Sequence, residues 1–491
     1  MTRLSNASVE TLDARIMRSV YERPRTPSVV HLGTGAFNRA HQAVYADAAL
    51  EHGDAAAAIL GVSLRSPTAR DQLAPQDGLF TVTERSGGDA VTRLVQSVND
   101  VLFAPEAPHR VTEALAAEGT KLVTLTVTEA GYLAGPSGAI DLASPTVASD
   151  LKREGAPASI YGYLRLALLE RKAKGRRGLT ILSCDNLAAN GKRLSGWLDQ
   201  FLSVTDPDLA AWVRAECRFP SSMVDRIVPA TTAADCDDLK ARLGVDDQAA
   251  VFTEPFSQWV VEDEFVGDRP RWDAGGAQFV SDVAPYETAK LRMLNGAHSA
   301  LAYIGLIEGL VFVHEAVRVP GIRARVESLM RTEAATSLSP TPGQDLQGYA
   351  DRMIERFANP ALNHRLEQIA KDGSEKIVQR WLPVLAHHQA AERPCPATLE
   401  ALAAWVVFVR ADQGPVVDPL ADRLANLWGQ AGATEIAAAL FGRGGLMSAH
   451  WTASPVNLAR LTQQIQELAS FSTPSVAPVD WTHPSTLRNQ G

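Results

Sequence analysis

Residues 28–37 read SVVHLGTGAF, and this stretch decides how the first half of the chain is built. The run 28–32 is short, largely apolar and rich in valine, which suits a buried strand. It leads into Gly33-Thr34-Gly35-Ala36-Phe37, and a helical segment follows from about Arg39 to Leu50. Strand, glycine turn and helix in this order make the dinucleotide-binding arrangement, because bare backbone lets a pyrophosphate approach a helix N-terminus. The position that usually holds a third Gly or Ala carries Asn38. Taken by itself, the motif also fits an ordinary tight turn.

Working outward, 59–64 (ILGVSL) is the second strand of the unit. A carboxylate at its end would bind the ribose hydroxyls of NAD. Here the chain continues Arg65-Ser66, and the next acid is Asp71. NAD and NADP both stay open, since an arginine and a serine suit a 2′-phosphate. The run 121–128 (KLVTLTVT) fits a strand buried on both faces of a parallel sheet, and it delivers Glu129. A helix over 159–174 ends at Gly175, and a strand over 179–183 ends in Cys184-Asp185-Asn186. Ligands of such sheets bind beyond the carboxyl ends of strands, so Glu129, Asp185 and Asn186 are candidates by position. Each alone is also a common cap or turn residue. Two more segments, 219–232 (FPSSMVDRIVPATT) and 254–263 (EPFSQWVVED), set Asp225-Arg226 and several acids and aromatics in apolar surroundings. Buried acid–base pairing is the plain reading of both.

The second anchor is 286–305, YETAKLRMLNGAHSALAYIG. It reads as one helix, with Pro285 as a good first-turn residue. At about 100° per residue from Lys290, Glu287 falls near 60°, His298 near 80° and Asn295 near 140°. One face of a mostly apolar helix thus carries a carboxylate, an imidazole and an amide beside an amine. Burial lowers the pKa of an unpaired lysine, which suits proton transfer near neutral pH. The plainer alternative pairs Lys290 with Glu287 on a partly wet surface. Beyond this point amphipathic segments dominate, at 313–334, 344–358, 361–371, 375–390, 398–411, 418–431, 434–441 and 456–470. The pattern predicts an α/β domain over 1–284 and a mostly α-helical domain over 285–491, whose tail, 475–491, reads as an irregular arm.

The totals agree with this division. A chain of 491 residues accommodates two or three domains. Apolar residues make up 46% and charged residues 21%, as in soluble globular proteins. The net charge is −9 and no Lys/Arg block occurs, which argues against a nucleic-acid partner. No apolar run reaches membrane-spanning length, and the N-terminus, with acids and no apolar core, is not a signal peptide. Cys184, Cys217, Cys236 and Cys395 form no CxxC pair, so free thiols in a reducing compartment are expected, without zinc-ribbon spacing. The expectation is a cytoplasmic enzyme or binding protein.

Seven segments then stand in a telling order: VHLGTGAFNRAHQA (30–43), VTLTVTEAGY (123–132), LSCDNLAANG (182–191), FPSSMVDRIVP (219–229), EPFSQWVVED (254–263), KLRMLNGAHS (290–299) and KDGSEK (371–376). Together they resemble the polyol-specific long-chain dehydrogenases, the mannitol dehydrogenase family, over about residues 28–390. The resemblance implies a Rossmann-type N-terminal domain with a mostly α-helical C-terminal domain. It also implies metal-independent hydride transfer with NAD (NADP not excluded), a sugar-acid or polyol substrate, and a monomer or weak oligomer. Lys290 would be the general acid/base. Asn295 and His298 would contact the reacting oxygen and neighbouring hydroxyls, and Asn186 would help hold the oxyanion. Glu129 and Asp225 would line or support the site, Glu287 would be linked to proton passage, and Lys376 would contact substrate. Gly33, Gly35, Ala36, Phe37 and Arg65 are the cofactor-binding candidates.

One departure bears on the substrate. Eight positions before the substrate-contacting lysine, mannitol dehydrogenases carry an arginine, and this chain has Gln368. Uronate-reducing members tend to have glutamine there, which favours a keto-hexuronate such as D-fructuronate over fructose or mannitol. Lys376 and Arg365 are candidates for a substrate carboxylate, Arg365 on its chemistry alone. A nucleotide-binding sensor without turnover is a third reading, opposed by Lys290, Asn295, His298 and Asn186 occurring together.

Overall fold

The computed structural model describes residues 3–153, 155–412 and 414–471, so the arm expected at 475–491 lies outside the described residues. The chain divides into two compact units, Met1–Glu287 and Thr288–Gly491. In the first, five strands form a parallel sheet in the order Val98–Phe103, Ile59–Ser63, Val29–Leu32, Leu122–Leu125, Thr180–Ser183. Val29–Leu32 is central. The chain winds outward on one side of it and then crosses to the other, so the switch point lies between Val29–Leu32 and Leu122–Leu125, where ligand crevices form. All four residues of the central strand are buried, as expected for a strand covered on both faces. Val30 and Leu32 pack with Leu168 and Phe201, whereas Val29 packs in the opposite cluster with Ala46 and Trp259. That is the period-2 alternation of a strand.

His31 is the one polar residue of this strand and is fully buried. Its Nδ1 lies 2.7 Å from Thr124 Oγ1 and its Nε2 lies 2.8 Å from Thr126 Oγ1. Thr126 Oγ1 donates its proton to the Gly33 carbonyl at 2.8 Å, so it must accept from the ring. His31 therefore carries its hydrogen on Nε2 and accepts from Thr124 at Nδ1. This chain of bonds joins the two strands at the switch point and ends on the glycine turn. Burial pushes the His31 pKa down from 6.5 to about 3. The unfolded ring protonates near the ordinary value and the folded ring does not, so the unfolded state binds more protons between the two values. Stability is then full above pH 6.5 and falls as pH drops through that window. His31→Gln is expected to flatten the stability–pH slope between about pH 6 and pH 4 by roughly 1.4 kcal/mol per unit. Urea titrations of both proteins at several pH values check this; parallel slopes would refute it.

Several elements depart from the expected ones. The helix after the glycine turn begins earlier, as Ala36–Ala40, and restarts as Gln42–Glu51. The break falls at His41, whose Nε2 reaches the Gln258 carbonyl at 3.0 Å and whose Nδ1 lies 3.0 Å from Gln42 Nε2. Of the run 121–128, only Leu122–Leu125 stays in the sheet; the Thr126 amide still donates to the Leu32 carbonyl, and those of Val127 and Thr128 are drawn to Asp185. No strand was expected between 65 and 120. There Phe80–Ser86 pairs antiparallel with Asp89–Val95 in a four-stranded sheet that also contains Met17–Arg18 and Val251–Thr253. Threonine and charged side chains recur in these two strands; the Thr83 and Thr92 hydroxyls pair across them at 2.9 Å, and Thr81 Oγ1 donates to the Asp247 carboxylate at 2.8 Å. A third sheet orders Gln278–Val280, Gln258–Glu262 and Ser222–Asp225.

The second unit is helical. Gly296–Ile307 is buried on nearly every side, including Ala297, Ala300, Leu301, Tyr303 and Ile304, the mark of a central helix. Other helices of the unit include Leu346–Phe357, Gly373–Arg380, Leu382–Ala390, Pro396–Phe408 and Pro455–Phe471. The expected segment 313–334 is interrupted before Pro320, which starts the helix Pro320–Ser328; proline lacks the N–H that an interior position needs. The segments expected at 418–431 and 434–441 form Ala421–Phe441, kinked at Gly432 with φ 59°. Among the described residues no helix is long and apolar enough to cross a membrane.

Candidate active site

The glycine turn is built by steric necessity. Gly33 donates its N–H to the Val62 carbonyl at 2.8 Å and has φ +99°. A Cβ there would lie 2.1 Å from the Thr126 carbonyl oxygen, so only glycine fits. Gly35 is different: a Cβ would meet only the Gly33 carbonyl at 3.8 Å, leaving an open face. Thr34 Oγ1 in the turn, both polar atoms of the Asn38 side chain on the helix after it and Ser63 Oγ at the end of the adjacent strand are buried without a hydrogen-bond partner among the described residues. Buried polar atoms are nearly always paired. An open glycine turn whose own and neighbouring elements carry unpaired donors and acceptors fits a bound dinucleotide. Ala36 opens the following helix, and Phe37 stacks on His41 with ring centres 5.0 Å apart. Arg65 is exposed just beyond Ile59–Ser63. Asp71, the next acid, pairs with Arg70 at 2.6 Å.

The neighbouring strand ends carry a strained loop. Thr128 has φ 64° and ψ 164°, a region essentially reserved for glycine and costing on the order of 1–3 kcal/mol. The Asp185 carboxylate holds it there, accepting the amides of Val127 at 3.0 Å and Thr128 at 2.9 Å and the Tyr132 hydroxyl at 2.6 Å. Burial raises the Asp185 pKa, and these donors oppose the rise. Glu129 directly follows Thr128, and Asn186 directly follows Asp185; both are exposed. Asp185 thus ties together the two loops that carry them. Past Asn186, the Ala189 amide donates to Glu287 Oε1 at 3.0 Å, and Ala189 is left-handed with φ 50°. Asp225 closes the strand Ser222–Asp225 and is buried. Its neighbour Arg226 pairs with Glu84 at 2.6 Å and donates to the Ala40 and Glu254 carbonyls.

In the second unit the expected single helix is replaced by three pieces. Ala284–Ala289 is α-helical, Lys290–Asn295 is a π-helical turn, and Gly296–Ile307 is α-helical again. The Gly296 amide accordingly bonds the Leu291 carbonyl, five residues back. An α-helix would set Lys290 and Asn295 about 140° apart. The wider π turn, closed between residues five apart, narrows that angle. Lys290 is 9% exposed. His298 packs against Phe357 and His364, with ring centres 4.7 and 5.3 Å away. Burial, then His364, Arg356 and Arg380, push its pKa well below the ordinary imidazole range, so the ring is neutral.

The remaining candidates separate. Lys376 Nζ donates to the Ile369 carbonyl at 3.2 Å and to that of Lys371, and burial, then Arg380, lower its pKa. Arg365 lies over the Phe312 ring at 5.6 Å and pairs with Glu367 at 3.4 Å. Gln368 is exposed on Leu366–Ala370. The sequence reading overlooked Arg380, which donates to the Asn295 carbonyl at 3.1 Å and to Ser299 Oγ at 2.7 Å. Its signal was present, since it follows Lys376 by four residues and so shares its helix face.

A parallel sheet with a glycine turn at its switch point, followed by a helical unit, defines a Rossmann-type dinucleotide-binding protein with an added helical domain. Residues 27–274 match the mannitol dehydrogenase Rossmann domain and residues 282–466 the mannitol dehydrogenase C-terminal domain. The chain belongs to the mannitol dehydrogenase family and is an oxidoreductase acting on CH–OH groups. It is 40% identical over 446 residues to D-mannonate oxidoreductase of Escherichia coli K12, covering 88% of this chain and 91% of that one. To mannitol 2-dehydrogenase of Aspergillus fumigatus it is 37% identical over 420 residues, 82% and 84% of the two chains. Among solved structures, Pseudomonas fluorescens mannitol 2-dehydrogenase in ternary complex with NAD and D-mannitol superimposes with a TM-score of 0.75. That match has 33% identity and covers 96% of each chain.

Proposed function

We propose that this oxidoreductase reversibly reduces a keto-hexuronate such as D-fructuronate to D-mannonate, with Lys290 as general acid/base. NAD is its cofactor and, when bound, donates or accepts the hydride. Gly33, Gly35, Ala36 and Phe37 would hold it, with Arg65 beside the ribose. In reduction, Lys290 Nζ gives a proton to the carbonyl oxygen as charge builds there, and in oxidation it takes the proton back. The side-chain amides of Asn186 and Asn295 donate to that oxygen as neutral hydrogen-bond donors. A neutral His298 is suited to exchanging hydrogen bonds with an adjacent hydroxyl. Glu129 and Asp225 support the site, Glu287 serves proton passage to the lysine, and Lys376 meets the substrate's polar end. Arg365 stays the weaker candidate for a carboxylate, since Glu367 already pairs with it.

Gln368 carries the choice of substrate, because mannitol dehydrogenases hold an arginine there. The 40% identity to D-mannonate oxidoreductase supports the same choice. Likeness to the mannitol 2-dehydrogenases supports the alternative, a polyol dehydrogenase acting on mannitol and fructose. Purified protein assayed with NADH or NADPH against fructuronate, tagaturonate and fructose is expected to oxidise NADH fastest with fructuronate. Preference for fructose would select the alternative, and no oxidation with any of them would reject both.

A further inference from the structure

Arg380 and Trp381 are consecutive residues between the helices Gly373–Arg380 and Leu382–Ala390. Both reach the junction where the π turn gives way to α-helix. Arg380 Nη1 donates to the Asn295 carbonyl at 3.1 Å and to Ser299 Oγ at 2.7 Å. Trp381 Nε1 donates to the Gly296 carbonyl at 3.1 Å, and its side chain is fully buried. Three hydrogen bonds from one neighbouring segment therefore fall on Asn295, Gly296 and Ser299.

A π turn has no sequence of its own to favour it, being rare and confined mostly to single turns inside α-helices. A half-buried guanidinium held by a carbonyl and a hydroxyl, with no carboxylate partner among the described residues, is also costly. Each cost is explained by the other. We infer that Arg380 and Trp381 are positioning residues that lock Lys290–Asn295 in its π turn and so keep the Asn295 amide on the face of Lys290. The inference rests on the reading of Lys290 and Asn295 as joint contributors to the reaction. Without the clamp the segment relaxes toward α-helical register and swings Asn295 away.

Arg380→Ala is expected to lower kcat about 100-fold with the KM for NADH within about twofold, as for a small misplacement of a reacting group. Hydrogen exchange of peptides spanning 290–300 should speed up, with other helices of the second unit unchanged, and added guanidinium ion should restore part of kcat. Wild-type kcat, or faster exchange spread across 288–471, would overturn the clamp. Where Arg380→Ala does not fold, Trp381→Phe decides: a six-membered aromatic ring is kept while the Nε1 bond goes with the indole's five-membered ring, so kcat is expected to fall about fivefold. Unchanged kcat and exchange in that variant would equally overturn it. The exchange measurement stands apart from the chemistry, so loss of the general-acid role for Lys290 would leave it interpretable.

Discussion

Lys290→Ala is expected to reduce kcat in both directions by about 10²- to 10⁴-fold, the span typical of a positioned general acid or base. That is a rise in barrier of about 3–5 kcal/mol. The residue opens the π turn and is 9% exposed, so bulk water is poorly placed to replace it as proton donor. Nicotinamide binding is expected to persist, since the glycine turn and its orphaned polar atoms belong to the other unit. The checks are steady-state kcat for fructuronate reduction and mannonate oxidation, with NADH affinity by fluorescence titration. A variant that keeps wild-type kcat would remove the acid/base role and revive the sensor reading. A variant that loses NADH affinity as well would point to a structural lysine.

Gly33→Ala is expected to cost about 3 kcal/mol in stability and to abolish measurable NADH binding. Two penalties combine: φ +99° disfavours any L side chain, and the new Cβ would sit 2.1 Å from the Thr126 carbonyl. Relief requires moving either the turn or the strand end that leads into the strained Thr128, and His31 and Thr126 bind both together. Gly35→Ala is the informative partner. Its Cβ meets nothing in the protein nearer than 3.8 Å, so the melting temperature should stay near wild type while the KM for NADH rises. Thermal melts and cofactor titrations of the pair separate a fold requirement at 33 from a ligand requirement at 35. Equal behaviour of the two variants would undo that division.

The site was unevenly legible in the sequence. Glycines 33 and 35, the apolar strand before them and the polar residues of 290–298 could be read because their signal is local: a turn, a period and a residue type. The hairpin Phe80–Ser86 with Asp89–Val95 escaped, since its threonines look polar until Thr83 and Thr92 pair across it. The helix at 286–305 was correctly expected and wrongly spaced. A fixed 100° step left Asn295 at the edge of the face shared with Lys290, near 140°, and the π turn narrows that angle.

What the sequence by itself determined, then, is the order of elements and the identity of the chemical groups. Apolar periodicity and glycine sterics act between near neighbours and survive without tertiary context. Only the tertiary structure decided where those groups point. The strain at Thr128 depends on Asp185, 57 residues away, and the carbonyl of Asn295 depends on Arg380, 85 residues away. Hydrogen bonds over such separations exist only once the chain has folded, and they select a backbone conformation that local propensity would refuse.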